Sequence, residues 1–360
     1  MYNDLNFSAF GVYNRNIYFS NMYLNGLFCL NTEDSNCEFI GYFPGEEKNV
    51  EMLHRCAVEY ENYIIFIPYH GTKLNFFDAE TKNLYVYDLC CEGEYIESYI
   101  FEDVLYMIPG QTKYPILLFD LKKREYLESY FVSDIWRELG EKYNDKYIIR
   151  TAFDISKIWF SIMGTNIVCE LNLENMRGTL KQVPVSNVCS VCKGINGLWV
   201  IPEEGNKIYK FKVESDEIKE YDIPINKNNR KRLINYVIET HDYVIAMPAY
   251  ETDFYVLEKG KKETFRSCFH ITSNIDTINF ALSHQVMTIA AKEYGDIWII
   301  PPVKYKKMIG FCERNMNFTE LEIKPLEMNT EVYNDYLAIV NQDVQKEGVT
   351  MCLKDFISSI

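Results

Sequence analysis

Apolar positions in this chain come in short runs separated by polar turns, and the runs recur. Between Trp199 and Ile225 (WVIPEEGNKIYKFKVESDEIKEYDIPI) three of them follow one another. Trp199-Val200-Ile201-Pro202 is an apolar run stopped by proline, which cannot donate to a ladder. Lys207 to Val213 alternates, with Ile208, the Tyr209 ring and Phe211 set among lysines. Ile218 to Ile223 follows the polar turn Glu214-Ser215-Asp216-Glu217. The stretch reads as three short strands.

The same design runs along almost the whole chain. The residue ending each central apolar strand serves as a marker: Ser20, Pro68, Pro109, Ile162, Pro202, Pro248 and Pro301, at intervals of 48, 41, 53, 40, 46 and 53. Ile65–Leu89 lies on Trp199–Ile223 without a gap, and Trp159–Val185 lies on Trp199–Ile225. Gly71 then meets Gly205, Asn166 meets Asn206, and Pro184 meets Pro224. An apolar strand precedes each marker strand through a tight turn, as at Cys56–Val58, Thr151–Phe153, Val188–Val191 and Asn235–Ile238.

Units of about 40 to 50 residues with four strands predict an all-β fold, a seven-bladed β-propeller of four-stranded antiparallel blades with short helical insertions. One such sheet cannot cover both its faces, so neighbouring sheets must do it. The blades are expected near residues 7–42, 55–89, 97–130, 148–185, 188–225, 233–268 and 286–324, in a single domain. Residues 325–360 do not repeat and are expected to close or cap the array, with Leu353–Ile360 a terminal helix or strand. Either terminus could tie the first and last blades. Residues 44–54 and Cys90–Tyr95 read as longer links. Ser133–Tyr143 places Ile135, Trp136 and Leu139 at helical spacing behind Asp134 and predicts a short helix. His270–His284 is another long link, expected to be partly helical.

Composition narrows the partners. The 28 Tyr and 22 Phe suit pleated surfaces. A net charge of −15, with Lys227–Arg232 (KNNRKR) as the nearest approach to a basic cluster, argues against nucleic acid and against an anionic membrane. The N-terminus lacks a basic stretch followed by an apolar run, and no segment reaches the roughly 20 apolar residues of a spanning helix. The eleven cysteines are odd in number, and Cys29, Cys56, Cys169, Cys189 and Cys192 fall inside predicted strands as small hydrophobes. A cytoplasmic protein is the expectation.

The repeats resemble those of seven-bladed β-propellers over roughly residues 7 to 324. Gly197-Leu198-Trp199, then Gly205-Asn206-Lys207-Ile208, then Tyr221-Asp222-Ile223-Pro224 is locally similar to the repeat of virginiamycin B lyase-like propellers. The Trp-Asp and Gly-His pairs of WD40 repeats and the double glycine of kelch repeats are missing. The resemblance implies chemistry from His and Glu side chains around a metal-dependent site at the channel mouth. The only Glu-x-His here is Glu239-Thr240-His241, in the turn between the first two strands of the sixth blade, at the opposite edge.

In a propeller, the links between blades and the loops after the marker residues share one face, and loops on a rigid scaffold carry function. Those loops hold Asn21 and Tyr23, Tyr69 and His70, Gln111, Lys113 and Tyr114, Met163, Glu203 and Glu204, Tyr250 and Glu251, and Lys304 and Tyr305. The candidate binding residues are Tyr69, His70, Gln111, Lys113, Glu203, Glu204, Tyr250, Glu251, Lys304 and Tyr305. Aromatic rings beside polar groups suit a ring-bearing polar ligand such as a sugar. The competing reading makes them ordinary solvated loops.

No metal and no cofactor are expected. Cys189-x-x-Cys192 has no second pair, and residues three apart on a strand point to opposite faces. Cys90-Cys91 cannot both face one metal in extended chain, and His54, His70, His241, His270 and His284 are scattered. Trp159, Trp199 and Trp298 occupy equivalent positions, as packing between sheets requires. There is no GxSxG, P-loop or GxGxxG. The expected function is a non-catalytic binding or assembly module presenting its loops to a glycan, peptide or protein. The alternative is a lyase or hydrolase acting on a carbohydrate or cyclic peptide ester, with His70 and Glu203 or Glu204 as acid and base.

Overall fold

The computed structural model describes residues 7–127, 146–225, 234–248, 253–261, 264–270, 288–293, 296–300, 307–312, 317–322, 331–332, 334–335 and 338; for 235, 248, 288–293, 296–300, 307–308 and 321–322 it describes the backbone alone. The expected helix at Ser133–Tyr143, the KNNRKR cluster, most of the His270–His284 link and Leu353–Ile360 lie outside the described residues.

The chain forms seven four-stranded antiparallel sheets, each built from consecutive strands in sequence order. The first two contain β1 (Phe7–Tyr13), β2 (Asn16–Asn21), β3 (Leu27–Asn31) and β4 (Cys37–Gly41), then β5 (His54–Tyr60), β6 (Tyr63–Pro68), β7 (Lys73–Asp78) and β8 (Leu84–Asp88). The third and fourth contain β9 (Tyr95–Phe101), β10 (Val104–Pro109), β11 (Leu117–Asp120) and β12 (Glu125–Tyr126), then β13 (Thr151–Asp154), β14 (Lys157–Ser161), β15 (Ile167–Asn172) and β16 (Arg177–Gln182). The fifth and sixth contain β17 (Val188–Gly194), β18 (Gly197–Pro202), β19 (Lys207–Lys212) and β20 (Glu217–Asp222), then β21 (Ile234–Glu239), β22 (Tyr243–Pro248), β23 (Asp253–Glu258) and β24 (Arg266–His270). The seventh contains β25 (Thr288–Glu293), β26 (Asp296–Ile300), β27 (Lys307–Cys312) and β28 (Asn317–Glu322).

Burial follows strand position. The second strands whose side chains are described are buried almost throughout, as in β6 and β10, which matches their unbroken apolar runs. The fourth strands, β16 and β20, alternate exposed with half-buried positions and carry the charge. Successive residues of β18 serve opposite faces. Leu198 and Val200 pack with Ala152, Trp159 and Val168 of the fourth sheet, while Trp199 and Ile201 pack with Val237, Val244 and Tyr255 of the sixth. Trp159 and Trp199 are thus packed between sheets; the Trp298 side chain lies outside the described residues.

The described chain falls into two compact units, Met1–Asp88 with Lys306–Met308 and Glu320–Ile360, and Leu89–Tyr305 with Ile309–Thr319. In the first, Ala9, Tyr18, Leu27 and Cys29 meet Ile64, Phe66 and Phe77 in one core. In the same unit, Asp335 of the C-terminal segment accepts from Tyr42 at 3.0 Å and from Lys48 at 2.7 Å, and Val332 is buried. The second unit holds the cores on either side of β18, and a further one joins Ile245, Met247 and Phe254 to Ile309 and Phe311.

Two features were not read from the sequence. A β-bulge recurs where the first strand of a blade enters its sheet, opposite the end of the second: it interrupts the registers Phe7/Ala9, His54/Cys56, Val188/Ser190 and Ile234/Tyr236. The bulge also corrects the first marker. Phe7 faces Asn21 as His54 faces Pro68, so Asn21 rather than Ser20 is the equivalent residue. Among the described residues no helix is long and apolar enough to cross a membrane.

Candidate functional site

Among the described residues, loops that follow a marker residue are hydrogen-bonded to the segment linking two blades, which places the two kinds of segment on a common face within each unit. In the first unit, Met52 donates to Met22 at 2.6 Å and Tyr69 to Leu53 at 2.9 Å. In the second, Thr112 donates to Lys146 at 3.0 Å, Gly164 to Val188 at 3.2 Å and Glu203 to Asn187 at 2.7 Å.

Tyr69 and His70 are held by the link before their own blade. Their rings lie 4.5 Å apart, Arg55 stands 5.2 Å from the Tyr69 ring centre, and His70 Nδ1–H donates to the Glu51 carbonyl oxygen at 2.7 Å. The imidazole therefore leans on backbone and not on a carboxylate. The neighbouring Glu46 carboxyl receives Thr72 N–H at 2.7 Å and is pushed up from its ordinary range by burial.

The second unit holds a cleft that none of the expected residues among those described lines. It has a volume of about 660 Å³ and opens between the β14–β15 loop, the β16–β17 link and Lys146. Buried Val183 and Val185 underlie it, and Thr165, Asn166, Ser186 and Asn187 supply its polar groups. Gly164, at φ +76°, and Asn187, at φ +52°, take the left-handed turns that shape its rim, conformations natural to these residue types. Gln111 pairs with Tyr147 in an antiparallel bridge, and its side chain donates to Glu94 at 3.2 Å. Lys113 lies next to Thr112, which is bonded to Lys146, and its ammonium stands 4.9 Å from the Tyr114 ring centre. Glu203 reaches the other side through Asn187, and Glu204 is exposed beside it. Tyr250, Glu251, Lys304 and Tyr305 lie outside the described residues.

Of the lining residues, the sequence marks Asn166 and Pro184, as landmarks of the repeat. Asn166 was aligned with Asn206, and there the two blades part. Asn206 Nδ2 donates to the Ile223 carbonyl at 2.9 Å, whereas the Asn166 amide is exposed and bonds to no group among the described residues. A repeat position whose structural bond has been dropped is the signal that only coordinates reveal.

Other titratable clusters are structural. Glu239 ends β21, and its carboxylate receives Trp199 Nε1–H at 2.7 Å, Ile195 N–H at 3.0 Å, Lys259 at 2.7 Å and the Lys210 ammonium. Burial pushes the Glu239 carboxyl up, but the two lysines and the indole outweigh it and hold it below its ordinary range. Lys210 is in turn lowered, because burial exceeds the help of Glu239. The Glu-x-His motif thus has its glutamate engaged by two cations, and His241 is exposed beside Asp242. His54 is fully buried between Phe43 and Phe66, and burial pushes it down to about 3. His270 pairs with Asp253 at 2.7 Å. Cys189 and Cys192 are buried thiols outside any disulfide, and no group of three or more metal-binding side chains occurs among the described residues.

Comparison with solved structures places this arrangement of sheets. Staphylococcus aureus virginiamycin B lyase superposes with a TM-score of 0.60 at 13% identity, covering 82% of this chain and 93% of that one. The fold is a seven-bladed β-propeller. The extracellular domain of a hybrid two-component system from B. thetaiotaomicron superposes with a TM-score of 0.58 at 14% identity, over 84% of this chain and 37% of that one. PorZ, a surface component of the Porphyromonas gingivalis type-IX secretion system, gives 0.55 at 11% identity, over 91% and 40%. These propellers differ in role, so the likeness carries fold and not chemistry. No protein-family profile and no curated protein sequence matches the chain.

Proposed function

We propose that this protein is a non-catalytic binding module whose loop face takes a glycan or a peptide in the cleft between Lys146, Asn166 and Asn187. The observation that carries the reading is the cleft itself. Its volume falls in the range of about 300 to 1,000 Å³ usual for ligand sites, it lies on the loop face, and the Asn166 and Asn187 side chains at its rim make no hydrogen bond among the described residues. Such groups keep their hydrogen-bonding capacity for something outside the chain.

The lyase or hydrolase reading draws no comparable support. An acid–base pair requires two titratable groups in mutual reach, and the described His70 contact is with a carbonyl. Lyase neighbours at 13% identity share a scaffold. A screen of short glycans and peptides by ligand-observed NMR, run alongside product analysis, tests the proposal. Binding without turnover that is lost in Asn166→Ala/Asn187→Ala supports it. Binding unchanged in that variant, or product formation that disappears in His70→Ala, overturns it.

A further inference from the structure

The charges around the cleft are unlike those elsewhere in its unit. Most lysines described there are paired with carboxylates, among them Lys122 with Asp103, Lys157 with Glu170, Lys193 with Asp154 and Lys207 with Glu220. In a chain of net charge −15, carboxylates are plentiful and such pairing is the expected state. Lys146 and Lys113 depart from it. Lys146 is exposed at the cleft and Lys113 sits over Tyr114, and neither has a carboxylate partner among the described residues. The two are brought together because Thr112 and Lys146 exchange hydrogen bonds, N–H to carbonyl at 3.0 Å and N–H to Oγ1 at 3.1 Å.

Beside Lys146, Tyr147 is 54% exposed, and its carbonyl accepts Met163 N–H at 3.0 Å, fixing the ring's backbone at the rim. An exposed aromatic ring next to free side-chain amides is the chemistry that recognises sugars: a flat apolar face for the ring and paired donor–acceptor groups for adjacent hydroxyls. The cleft segments bond to each other through backbone, Val188 to Thr165 at 2.7 Å, Gly164 to Val188 at 3.2 Å and Val183 to Asn166 at 2.9 Å, which takes these groups away from a peptide strand.

We infer that the ligand of this cleft is an acidic sugar, its carboxylate held by Lys146 with Lys113 adding to the local positive field, its hydroxyls by Asn166 and Asn187. This rests on the reading of the cleft as a binding site and narrows it to one ligand class. Lysine suits the task as a compact charge with rotatable donors.

The probes are trigalacturonic acid and the same trisaccharide with its carboxyls reduced to alcohols, titrated calorimetrically into the intact protein. The expected result is that the acid binds about tenfold or more tightly than its reduced form, the equivalent of one hydrogen bond to a charged group. Lys146→Gln should abolish that difference while leaving the melting temperature unchanged, since Lys146 is exposed and supports no packing. Added salt should weaken the acid alone. Equal binding of both trisaccharides, with Lys146→Gln silent but Asn166→Ala lossy, overturns the acidic ligand and leaves the binding module standing. Binding of an acidic tripeptide with neither sugar bound overturns the sugar class and again leaves the module. Binding of none of the three overturns the inference, and the module then stands or falls on its own wider screen.

Discussion

Replacing Trp199 with alanine tests how the repeats are held together. The indole is 2% exposed, stands 5.3 Å from Tyr221 by ring centres, and packs with Cys192, Val237 and Tyr255 between two sheets. It also donates to Glu239 at 2.7 Å and has the Lys210 ammonium 5.1 Å from its ring centre. Emptying a core aromatic site costs about 3–5 kcal/mol, and a hydrogen bond to a charged acceptor is worth roughly 1.5–3 kcal/mol. The two overlap, so Trp199→Ala should cost about 5 kcal/mol. Trp199→Phe keeps an aromatic ring but no N–H, and should cost about 2 kcal/mol. Guanidinium unfolding followed by tyrosine fluorescence and far-ultraviolet circular dichroism measures both. A loss below about 1 kcal/mol for the alanine variant, the range of surface substitutions, would refute the packing. Equal losses for the two variants would show that the hydrogen bond alone matters.

Three further outcomes follow from the same physics. Glu239→Gln leaves the Lys210 ammonium buried without its counter-charge and should cost about 3 kcal/mol or more in urea unfolding; a neutral result would mean that the lysines reach water unaided. Ile155 sits at φ +54° with 80% of its surface exposed, so Ile155→Asn should stabilise by about 1 kcal/mol as left-handed strain is relieved, and a lowered melting temperature would contradict this. His54 has its pKa pushed down by burial to about 3, so between the ordinary value near 6.5 and about 3 the unfolded chain binds a proton that the native state refuses. Stability should then fall as pH drops through that window, by up to about 1.4 kcal/mol per pH unit, with no contribution above it. His54→Leu should flatten the fall between pH 7.5 and 5, and an unchanged slope would place the histidine in contact with solvent.

The fold was legible because its signal is repeated. The run Trp199–Pro202 became β18 and Lys207–Val213 became β19, and their copies elsewhere became strands in the same order. Apolar runs mark strands covered on both faces, and alternation marks the solvent edge, so one physical rule read seven times suffices. The bulges escape a reading of the sequence because an extra residue at a strand entry leaves no compositional trace, which is why the repeat pattern points to Ser20 where the register has Asn21. The cleft was not legible in the same way. Loop position led to Gln111, Lys113 and Glu203, none of which lines it, whereas Asn166 and Pro184, which do, looked like repeat landmarks. What distinguishes Asn166 from Asn206 is a hydrogen bond that one makes and the other does not, a fact of three dimensions.

Hydrogen–deuterium exchange with and without trigalacturonic acid addresses the cleft directly. The account predicts slowed exchange in residues 146–148, 162–167 and 183–188, and none around the turns at Ile155 and Ile195. Protection confined to those turns, or spread over loops of other blades with the three cleft segments unchanged, would contradict it.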